Sequence, residues 1–440
     1  MRYAFIFECE IERGVKMKRY DDLFDAIVEM DNLYAAYENA RERRHYKSEI
    51  MATSDRIEEK LEKLHYDLLV GEWEPGGYHQ FECRTEVKRR IINAPVFIDR
   101  VVHHAIVQVV MPLFERKFIY DSYACRLKPM RYHGEKEFDF ARRKKGPHRA
   151  VKRLQHFIRS AEDMSENGKA YVLQCDISKY YLTIDHEILK REIRRTIADR
   201  RLLEVWDKMI DGYHEPINPV IKEILIREVT SAGANSAHPA PAPALGHPCP
   251  SEGADAATLL DYALKLDRAP PRKTGKGVPI GALTSQLEAN IYLNPLDHFV
   301  KETLHAKYYL RYMDDFIIVA GTKEELAEHL AAVRWFIEKR LCLVLNPKTQ
   351  IFPASHGVDF AGYRTFRDYI LPRKRNIKAA KIRFKNLSHR YKYGRADLED
   401  VKPRVGSFCG YIKHCKASKT ADSTLAHLVL CRQKGDKNDE

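Results

Sequence analysis

The sequence predicts an α+β fold in which short strands, two of them joined by a tight turn, are backed by amphipathic helices. The strand signals are two mostly apolar runs, residues 171–175 and 308–320, and an Asp-Asp pair typical of a hairpin turn interrupts the second. Apolar side chains recur at helical spacing in residues 20–70 and again in residues 97–118. Between these helical segments, residues 81–93 follow a Gly/Pro-marked turn and predict a β-hairpin.

The composition favours some classes of protein and excludes others. The chain has 440 residues, of which 44% are hydrophobic, so it can bury the cores of two or three packed units. Its net charge of +13 favours an anionic partner such as nucleic acid or a membrane surface. No apolar stretch approaches the roughly 18 residues of a membrane span, and the first residues do not resemble a signal peptide. The sequence therefore predicts a soluble protein that does not enter a membrane.

The nine cysteines predict neither a zinc ribbon nor a disulfide framework. None of them forms a C-x-x-C pair, and their number is odd. Reduced thiols in a cytosol fit this pattern best, which predicts a cytoplasmic location.

Two segments differ in composition from the rest of the chain. Residues 231–257 are rich in Ala, Pro, Gly and Ser and contain almost no large apolar side chain, so they cannot offset the entropy of ordering. We predict a disordered insertion or linker there. Residues 127–147 are rich in Arg and Lys without a clear period, which predicts a basic surface loop.

Three aspartates stand at the ends of the predicted strands. Asp176 follows the first run, and Asp314 and Asp315 interrupt the second. Carboxylates beside buried strands are costly unless a cation neutralises them, and hard carboxylate oxygens suit Mg²⁺. A carboxylate from each strand would complete a site for two metal ions. Taken alone, an Asp-Asp turn is more often a solvated hairpin tip, and these residues by themselves leave that interpretation open.

The surrounding motifs resemble those of reverse transcriptases. The tetrapeptide YMDD at residues 312–315 is similar to the YxDD motif of that family, and Asp176 with aromatic residues four and five positions later is similar to its first palm motif. Four more segments resemble the fingers hairpin, the palm motif with a Gly-x-x-x-Ser turn, the next palm motif and the primer-grip hairpin: residues 86–92, 277–295, 343–351 and 358–363.

The resemblance implies an α+β right-hand polymerase with fingers, palm and thumb, in which antiparallel catalytic strands form the palm and helices form the thumb. The implied units are an N-terminal helical extension, the fingers, a first part of the palm, the Ala/Pro-rich insert with its linker, a second part of the palm, the thumb and a C-terminal tail. Their boundaries are residues 1–79, 80–165, 166–230, 231–275, 276–365, 366–420 and 421–440.

The resemblance assigns the catalytic roles to a few residues. Asp176, Asp314 and Asp315 are the implied ligands of two Mg²⁺ ions, for which Mn²⁺ could substitute, and the carbonyl of Ile177 is a further candidate ligand. Lys348 is a candidate acid for the leaving pyrophosphate, with an exposed loop lysine as the commoner explanation.

Three further residues are candidates for holding the incoming nucleotide. Lys88 and Arg90, in the implied fingers hairpin, would grip the triphosphate, with a solvated hairpin face as the alternative. Tyr181 occupies the position of the family's sugar gate, where a ring would clash with a ribose 2′-OH. Core packing is the alternative role for Tyr181.

The turn before the next palm helix narrows the resemblance to one subfamily. Gly281, Ser285 and Gln286 are nucleotide-binding candidates there, because a glycine would let the backbone approach the template–primer. Most reverse transcriptases have Gln before this glycine and Pro after the serine, whereas this chain has Ile280 and Gln286. That pattern looks like the reverse transcriptases of diversity-generating retroelements, so Ile280 is implied to contact the template.

The implied thumb carries a dense basic tract. Its side chains would follow the backbone of a nucleic-acid duplex without reading its sequence, and the candidates are Arg373, Lys374, Arg375, Lys378 and Lys381.

These implications predict an RNA-directed DNA polymerase that makes cDNA by two-metal nucleotidyl transfer, with errors at template adenines that serve targeted protein diversification. Its implied partners are a template RNA, a DNA primer, deoxynucleoside triphosphates and a small basic accessory protein. The alternatives are a group II intron-type or antiviral-defence reverse transcriptase, and a catalytically silent RNA-binding protein.

Overall fold

The structure is a computed structural model, and it describes residues 19–42, 44, 46, 48–84, 89–126, 145–213 and 275–432. The side chains of residues 84 and 89–91 are not part of that description. The insert at residues 231–257, Lys88 and most of the basic loop at residues 127–147 lie outside the described residues.

Helices and strands follow one another in three groups along the chain. The first group is α1 Phe24–Val28, α2 Met30–Arg41, α3 Ser48–Ser54, α4 Ile57–Leu69, β1 Tyr78–Arg84, β2 Arg89–Pro95 and α5 Phe97–Glu115. The second is α6 Pro147–Met164, β3 Tyr171–Cys175, α7 Tyr180–Thr183, α8 His186–Arg194 and α9 Arg200–Asp211. The third is α10 Leu283–His298, a π-helix Phe299–Thr303, β4 Tyr308–Tyr312, β5 Asp315–Ala320, α11 Lys323–Arg340, β6 Gln350–Pro353, β7 Val358–Phe360, β8 Tyr363–Thr365, β9 Ile370–Pro372, α12 Lys374–Lys392, α13 Leu398–Ile412 and α14 Ser418–Leu425.

The helical stretch predicted before the first hairpin consists of four helices, α1 to α4. Glu29 has a backbone conformation outside the helical region (φ −52°, ψ 132°), so α1 ends there and α2 begins after it. The apolar faces of these helices, including Leu33, Leu61 and Leu64, are buried in the main hydrophobic core. A charged sequence with regular apolar spacing does not itself reveal such a break.

Among the described residues, α5 is the one helix with an 18-residue window long and apolar enough to cross a membrane. The expectation that no stretch approaches this length was therefore wrong. The fold buries 83% of that window, and α5 packs against α2 and α10. Its composition accordingly reflects a position in the core, where a helix is apolar on all sides.

A four-stranded sheet in the order β4-β5-β3-β6 lies at the centre, and each neighbouring pair is antiparallel. The predicted α+β class with antiparallel strands is thus confirmed. Both faces of the sheet are buried. Phe316 and Ile318 point into the main core, whereas Ile317 and Val319 pack in a second core that includes side chains of α6. Burial on both faces explains why β5 is apolar from Phe316 to Ala320 and does not alternate with polar residues.

A three-stranded antiparallel sheet, β7-β8-β9, leads into the C-terminal helices. Helices α12 and α13 pack through Phe384 and Phe408, whose rings meet edge to face at 5.3 Å. Asp397 begins α13 with a capping box in which its side chain accepts from the Asp400 N–H and the Asp400 side chain accepts from the Asp397 N–H. The sequence prediction of helices in this region is confirmed.

A buried ion pair ties the central sheet to α10. Arg311 on β4 and Asp297 on α10 both have fully buried side chains, and two hydrogen bonds of 2.7 and 2.6 Å join them. Tyr309 donates a third bond to Asp297 at 2.6 Å. Burial lowers the pKa of Arg311, but the charge and hydrogen bonds of Asp297 outweigh burial and raise it overall. The guanidinium therefore stays charged inside the protein.

We expect Asp297→Asn to lower the free energy of unfolding by about 3–5 kcal/mol, because it leaves the buried guanidinium without its counter-charge. Chemical denaturation measures this. The double variant Arg311→Met/Asp297→Leu should recover much of the loss, since it removes both charges. Arg200→Ala is the matched control on an exposed ion pair with Glu204, and it should change stability by less than about 1 kcal/mol. Equal stability of Asp297→Asn and the control would contradict this account.

Candidate active site

The strand register brings the three aspartates of the sequence analysis to one end of the central sheet. Cys175 at the end of β3 pairs with Phe316 on β5, so continuing this register sets Asp176 opposite Asp315. Asp315 is the first residue of β5 and pairs with Tyr312. The turn itself is Met313-Asp314, one residue earlier than the Asp-Asp turn that the sequence suggested. Asp314 and Asp315 therefore have different surroundings.

The two-residue turn is held by the buried arginine described above. Met313 has a positive φ of 60°, a conformation that costs energy for a side chain other than glycine. Its carbonyl accepts a hydrogen bond of 3.0 Å from Nη1 of Arg311. The same Nη1 donates to Oδ1 of Asn290 at 3.1 Å. This arginine thus links the conformation of the turn to α10.

Asp176 is held by a loop that follows α11. Nδ2 of Asn346 donates to Oδ2 of Asp176 at 2.9 Å, and the Asn346 N–H donates to the Asp176 carbonyl at 2.7 Å. Ile177 forms a bridge with Leu345, and the Ser178 N–H donates to the Val344 carbonyl at 2.9 Å. Ile177 is buried, and the backbone hydrogen bonds on either side of it are formed by the Asp176 carbonyl and the Ser178 N–H.

Asp315 lies deeper than a solvated hairpin tip would. Burial, with the charges of Asp176 and Asp314, raises the pKa of its carboxyl to about 7, although a hydrogen bond from Gln174 and the charge of Arg373 oppose the rise. Gln174 donates from Nε2 to Oδ1 of Asp315 at 3.3 Å and to the Asp359 carbonyl at 2.9 Å. One amide therefore connects the acidic end of the sheet, which consists of Asp176, Asp314 and Asp315, to β7.

The carboxylate oxygens at the acidic end suit a divalent cation, although these side chains alone do not form a complete set of metal ligands. Among the residues that the structure describes, no group of three or more His, Cys, Asp or Glu side chains is placed to hold a metal ion. The half-buried Asp315 carboxyl nevertheless lies near two acidic groups that raise its pKa. A bound cation would lower that pKa again, and carboxylate oxygens are ligands that Mg²⁺ prefers.

The loop before α10 is fastened to the segment after Asp176. The Val278 N–H donates to the Tyr181 carbonyl at 2.8 Å, and the Gly277 N–H donates to the Ile184 carbonyl at 2.7 Å. The Tyr181 side chain is half-buried, and its ring meets that of Tyr180 edge to face at 5.8 Å. Two segments that are distant in sequence, with the 231–257 insert between them, are thus joined at the site.

Ile280 and Gly281 lie against the β1–β2 hairpin. The Asn93 N–H donates to the Ile280 carbonyl at 3.1 Å. Gly281 has φ +126°, and a Cβ there would stand 3.0 Å from Cγ2 of Ile92. The structure therefore requires glycine for its backbone conformation and for close contact with β2, a reason that the sequence reasoning did not give. Gly281 is exposed and Ile280 is half-buried.

The two polar candidates that open α10 differ in exposure. Ser285 is 1% exposed, so its side chain lies in the interior and not on a surface that a nucleotide could reach without rearrangement. Gln286 is half-buried. One turn later, the buried Glu288 accepts a hydrogen bond of 2.9 Å from Trp206 Nε1, and burial raises its pKa to about 7.

The basic candidates differ in exposure and in the element that carries them. Lys348 is exposed, and its N–H donates to Oδ1 of Asn346 at 3.0 Å. Arg90 stands on β2 opposite Cys83, which places its backbone in the hairpin as predicted. Lys374, Arg375 and Lys378 are exposed on α12, and Lys381 is half-buried on the same helix.

Arg373 differs from its basic neighbours because it faces the sheet. Its side chain is 17% exposed, and Nε lies 3.8 Å from Oδ1 of Asp359. Burial lowers the pKa of Arg373, while the carboxylates of Asp359 and Asp315 raise it. Arg373 was predicted to follow a duplex backbone with its basic neighbours, whereas the structure places its side chain near Asp359 and Asp315.

Sequence reasoning missed the polar residues that position the aspartates. Asn346 stands in an Asn-Pro pair, which is a turn signal, and Gln174 is the one polar residue within an apolar strand. A polar side chain inside a buried strand is a usable signal, since it requires a hydrogen-bond partner. Nothing in the sequence links Arg311 to Asp297, because they approach each other only when β4 packs on α10.

The family comparison agrees with the motifs at this site. Residues 247–365 match the family model described as reverse transcriptase (RNA-dependent DNA polymerase). The matched range contains Asp314, Asp315 and the loop with Ile280 and Gly281, whereas Asp176 lies before it. The match supports a reverse transcriptase domain.

Two individual proteins are similar to this chain. It is 24% identical to Protein YkfC of Escherichia coli (strain K12) over 354 residues, which is 71% of this chain and 72% of that protein. A solved structure of telomerase from Candida albicans, in complex with a TWJ fragment of telomeric RNA, covers 85% of this chain at 13% identity and a TM-score of 0.37. The chain spans 61% of that telomerase chain, and this likeness is too weak to establish a shared fold.

Proposed function

We propose that the protein is an RNA-directed DNA polymerase with a right-hand fold, which copies a template RNA by two-metal nucleotidyl transfer. The observation that carries this proposal is the register of β3 and β5, which sets Asp176 opposite Asp315 beside the Asp314 turn. The family match over residues 247–365 supports the same chemistry. The substrates would be a template RNA, a DNA primer and deoxynucleoside triphosphates.

In this proposal, Asp176, Asp314 and Asp315 hold two Mg²⁺ ions, which Mn²⁺ could replace, with the Ile177 carbonyl as a further ligand. Bound cations at such a site activate the attacking hydroxyl and stabilise the leaving oxygen. Gln174 orients the Asp315 carboxylate, and the Arg311 bond to Met313 fixes the turn that carries Asp314.

The remaining candidates would bind and orient the substrates. Lys88 and Arg90 grip the triphosphate from the hairpin, and Lys348 donates a proton to the leaving pyrophosphate. Gly281 and Gln286 line the nucleotide site, and the buried Ser285 supports it from within α10. Lys374, Arg375, Lys378 and Lys381 follow the backbone of the duplex along α12, and Arg373 extends this cationic surface toward the sheet.

The sequence of the loop supports a finer assignment, to the reverse transcriptases of diversity-generating retroelements. Ile280 replaces the Gln that most reverse transcriptases have before this glycine. In this assignment the enzyme acts in the cytoplasm without a membrane, works with a small basic accessory protein, and copies template adenines with low fidelity.

Asp314→Asn should reduce DNA synthesis by at least about 100-fold, because it removes a metal ligand, and it should leave RNA binding nearly unchanged. Primer extension and filter binding measure the two properties. Asp368→Asn is the charge-matched control, since Asp368 is a surface acid with a 72% exposed side chain. Extension at the wild-type rate by Asp314→Asn would rule out the two-metal proposal. RNA binding without extension by the wild type would favour the catalytically silent alternative.

Tyr181→Ala should increase ribonucleotide incorporation relative to deoxynucleotides, because it removes the ring, five residues after Asp176, that would clash with a ribose 2′-OH. Tyr181→Phe is the matched control, since it keeps the ring and should keep the sugar preference. Steady-state incorporation of each nucleotide provides the comparison. An unchanged sugar preference in the alanine variant would leave Tyr181 with a packing role only.

Ile280→Gln should lower the error rate opposite template adenines by about tenfold, because a Gln side chain can add one or two hydrogen bonds of roughly 0.5–1.5 kcal/mol each to the template strand. Ile280→Leu keeps an apolar side chain and should leave the error rate unchanged. Sequencing cDNA made with each variant on one adenine-containing template decides this. Equal error rates for wild type and Ile280→Gln would remove Ile280 from the explanation.

A further inference from the structure

Asn346 is joined to Asp176 by two hydrogen bonds of different kinds. Its backbone N–H donates to the Asp176 carbonyl at 2.7 Å, and its side-chain Nδ2 donates to Oδ2 of Asp176 at 2.9 Å. The first bond belongs to the bridge between the two segments and any residue other than proline could form it. The second requires a side chain with an N–H donor at this position.

The Asn346 amide is also fixed from its other end. The side-chain Oδ1 accepts a hydrogen bond of 3.0 Å from the Lys348 N–H. The backbone carbonyl of Asn346 accepts one of 2.9 Å from the Thr349 N–H. Because a backbone N–H can only donate, it settles which end of the amide is oxygen, and the nitrogen must then face Asp176. Asparagine therefore meets two opposite requirements, an acceptor toward the turn and a donor toward the carboxylate.

An aspartate at this position would meet only the first requirement. It would accept from the Lys348 N–H but would turn a second negative oxygen toward Asp176, and like charges at this distance repel. A serine would also accept from the Lys348 N–H, yet its hydroxyl is too short to occupy the place of Nδ2. The turn and the bond to Asp176 can thus be separated by substitution.

We propose that Asn346 is a positioning residue, which orients the Asp176 carboxylate for a divalent cation. This inference rests on the proposed function, because it gives Asp176 the role of a metal ligand. A carboxylate that binds a metal is itself commonly held by hydrogen bonds, and loss of such a partner typically weakens metal affinity or activity by about 10–100-fold. Asn346 is placed to be that partner for Asp176 from a loop outside the sheet. Gln174, within β3, has the corresponding position for Asp315.

Binding of Mn²⁺, followed by electron paramagnetic resonance, tests the inference without requiring turnover. Asn346→Ser keeps the turn and Asn346→Ala loses both side-chain bonds, and both should bind Mn²⁺ at least about tenfold more weakly than the wild type. In primer extension, both should need correspondingly more Mg²⁺ for half-maximal rate, with recovery toward the wild-type rate at saturating metal. Thermal unfolding without metal should show Asn346→Ser close to the wild type, which separates positioning from stability.

Two outcomes would overturn the inference. Asn346→Ser with wild-type Mn²⁺ affinity and Mg²⁺ dependence would show that the residue serves only the turn. Unchanged Mn²⁺ binding in Asp176→Asn would show that Asp176 is not a ligand, and Asn346 would then have no metal to position. A wild type that binds Mn²⁺ in an Asn346-dependent manner but does not extend primers would refute the polymerase proposal while leaving the inference in place.

Discussion

The buried pair of Arg311 and Asp297 is the interaction on which the candidate site depends. Its two charges lie where no solvent reaches them, so each is tolerable only because the other is present. The same guanidinium also bonds the Met313 carbonyl, which fixes the turn that presents Asp314. Stability of the sheet and geometry of the site are therefore set by one side chain, and a change in α10 reaches the acidic end through it.

The acidic end is further constrained by neutral amides on both sides. Asn346 holds the Asp176 carboxylate from the loop after α11, and Gln174 holds that of Asp315 and also bonds the Asp359 carbonyl. Amides orient carboxylates without neutralising them, so the negative charge remains available to a cation. A lysine or arginine in either position would provide a stronger bond but would compete with that cation. This arrangement suits the proposed Mg²⁺ site, because it leaves the carboxylate charges to the cation.

Local patterns predicted the parts of the fold whose causes are local. Strand β3 has the bounds expected from its apolar run, and α5 begins at the expected Phe97, because a long and mostly apolar segment is a clear local signal. The segment before the first hairpin contains four helices, and the break between α1 and α2 lies at Glu29, where the backbone leaves the helical region. Asp315 was expected in the turn but begins β5, because its pairing with Tyr312 depends on the partner strand.

The sequence by itself determined the kinds of residue available for chemistry and the strands that carry them: three aspartates beside apolar runs, a glycine-marked loop and a basic tract. Only the tertiary structure decided which of these residues meet and how each is held. Asp176 and Asn346 are separated by 170 positions, yet Nδ2 of Asn346 lies 2.9 Å from Oδ2 of Asp176. Arg373 is largely buried beside acidic side chains, whereas Lys374 and Arg375 of the same tract are exposed. The physical reason is that strand register and helix packing, which bring distant segments together, are properties of the whole core and leave no mark at either position alone.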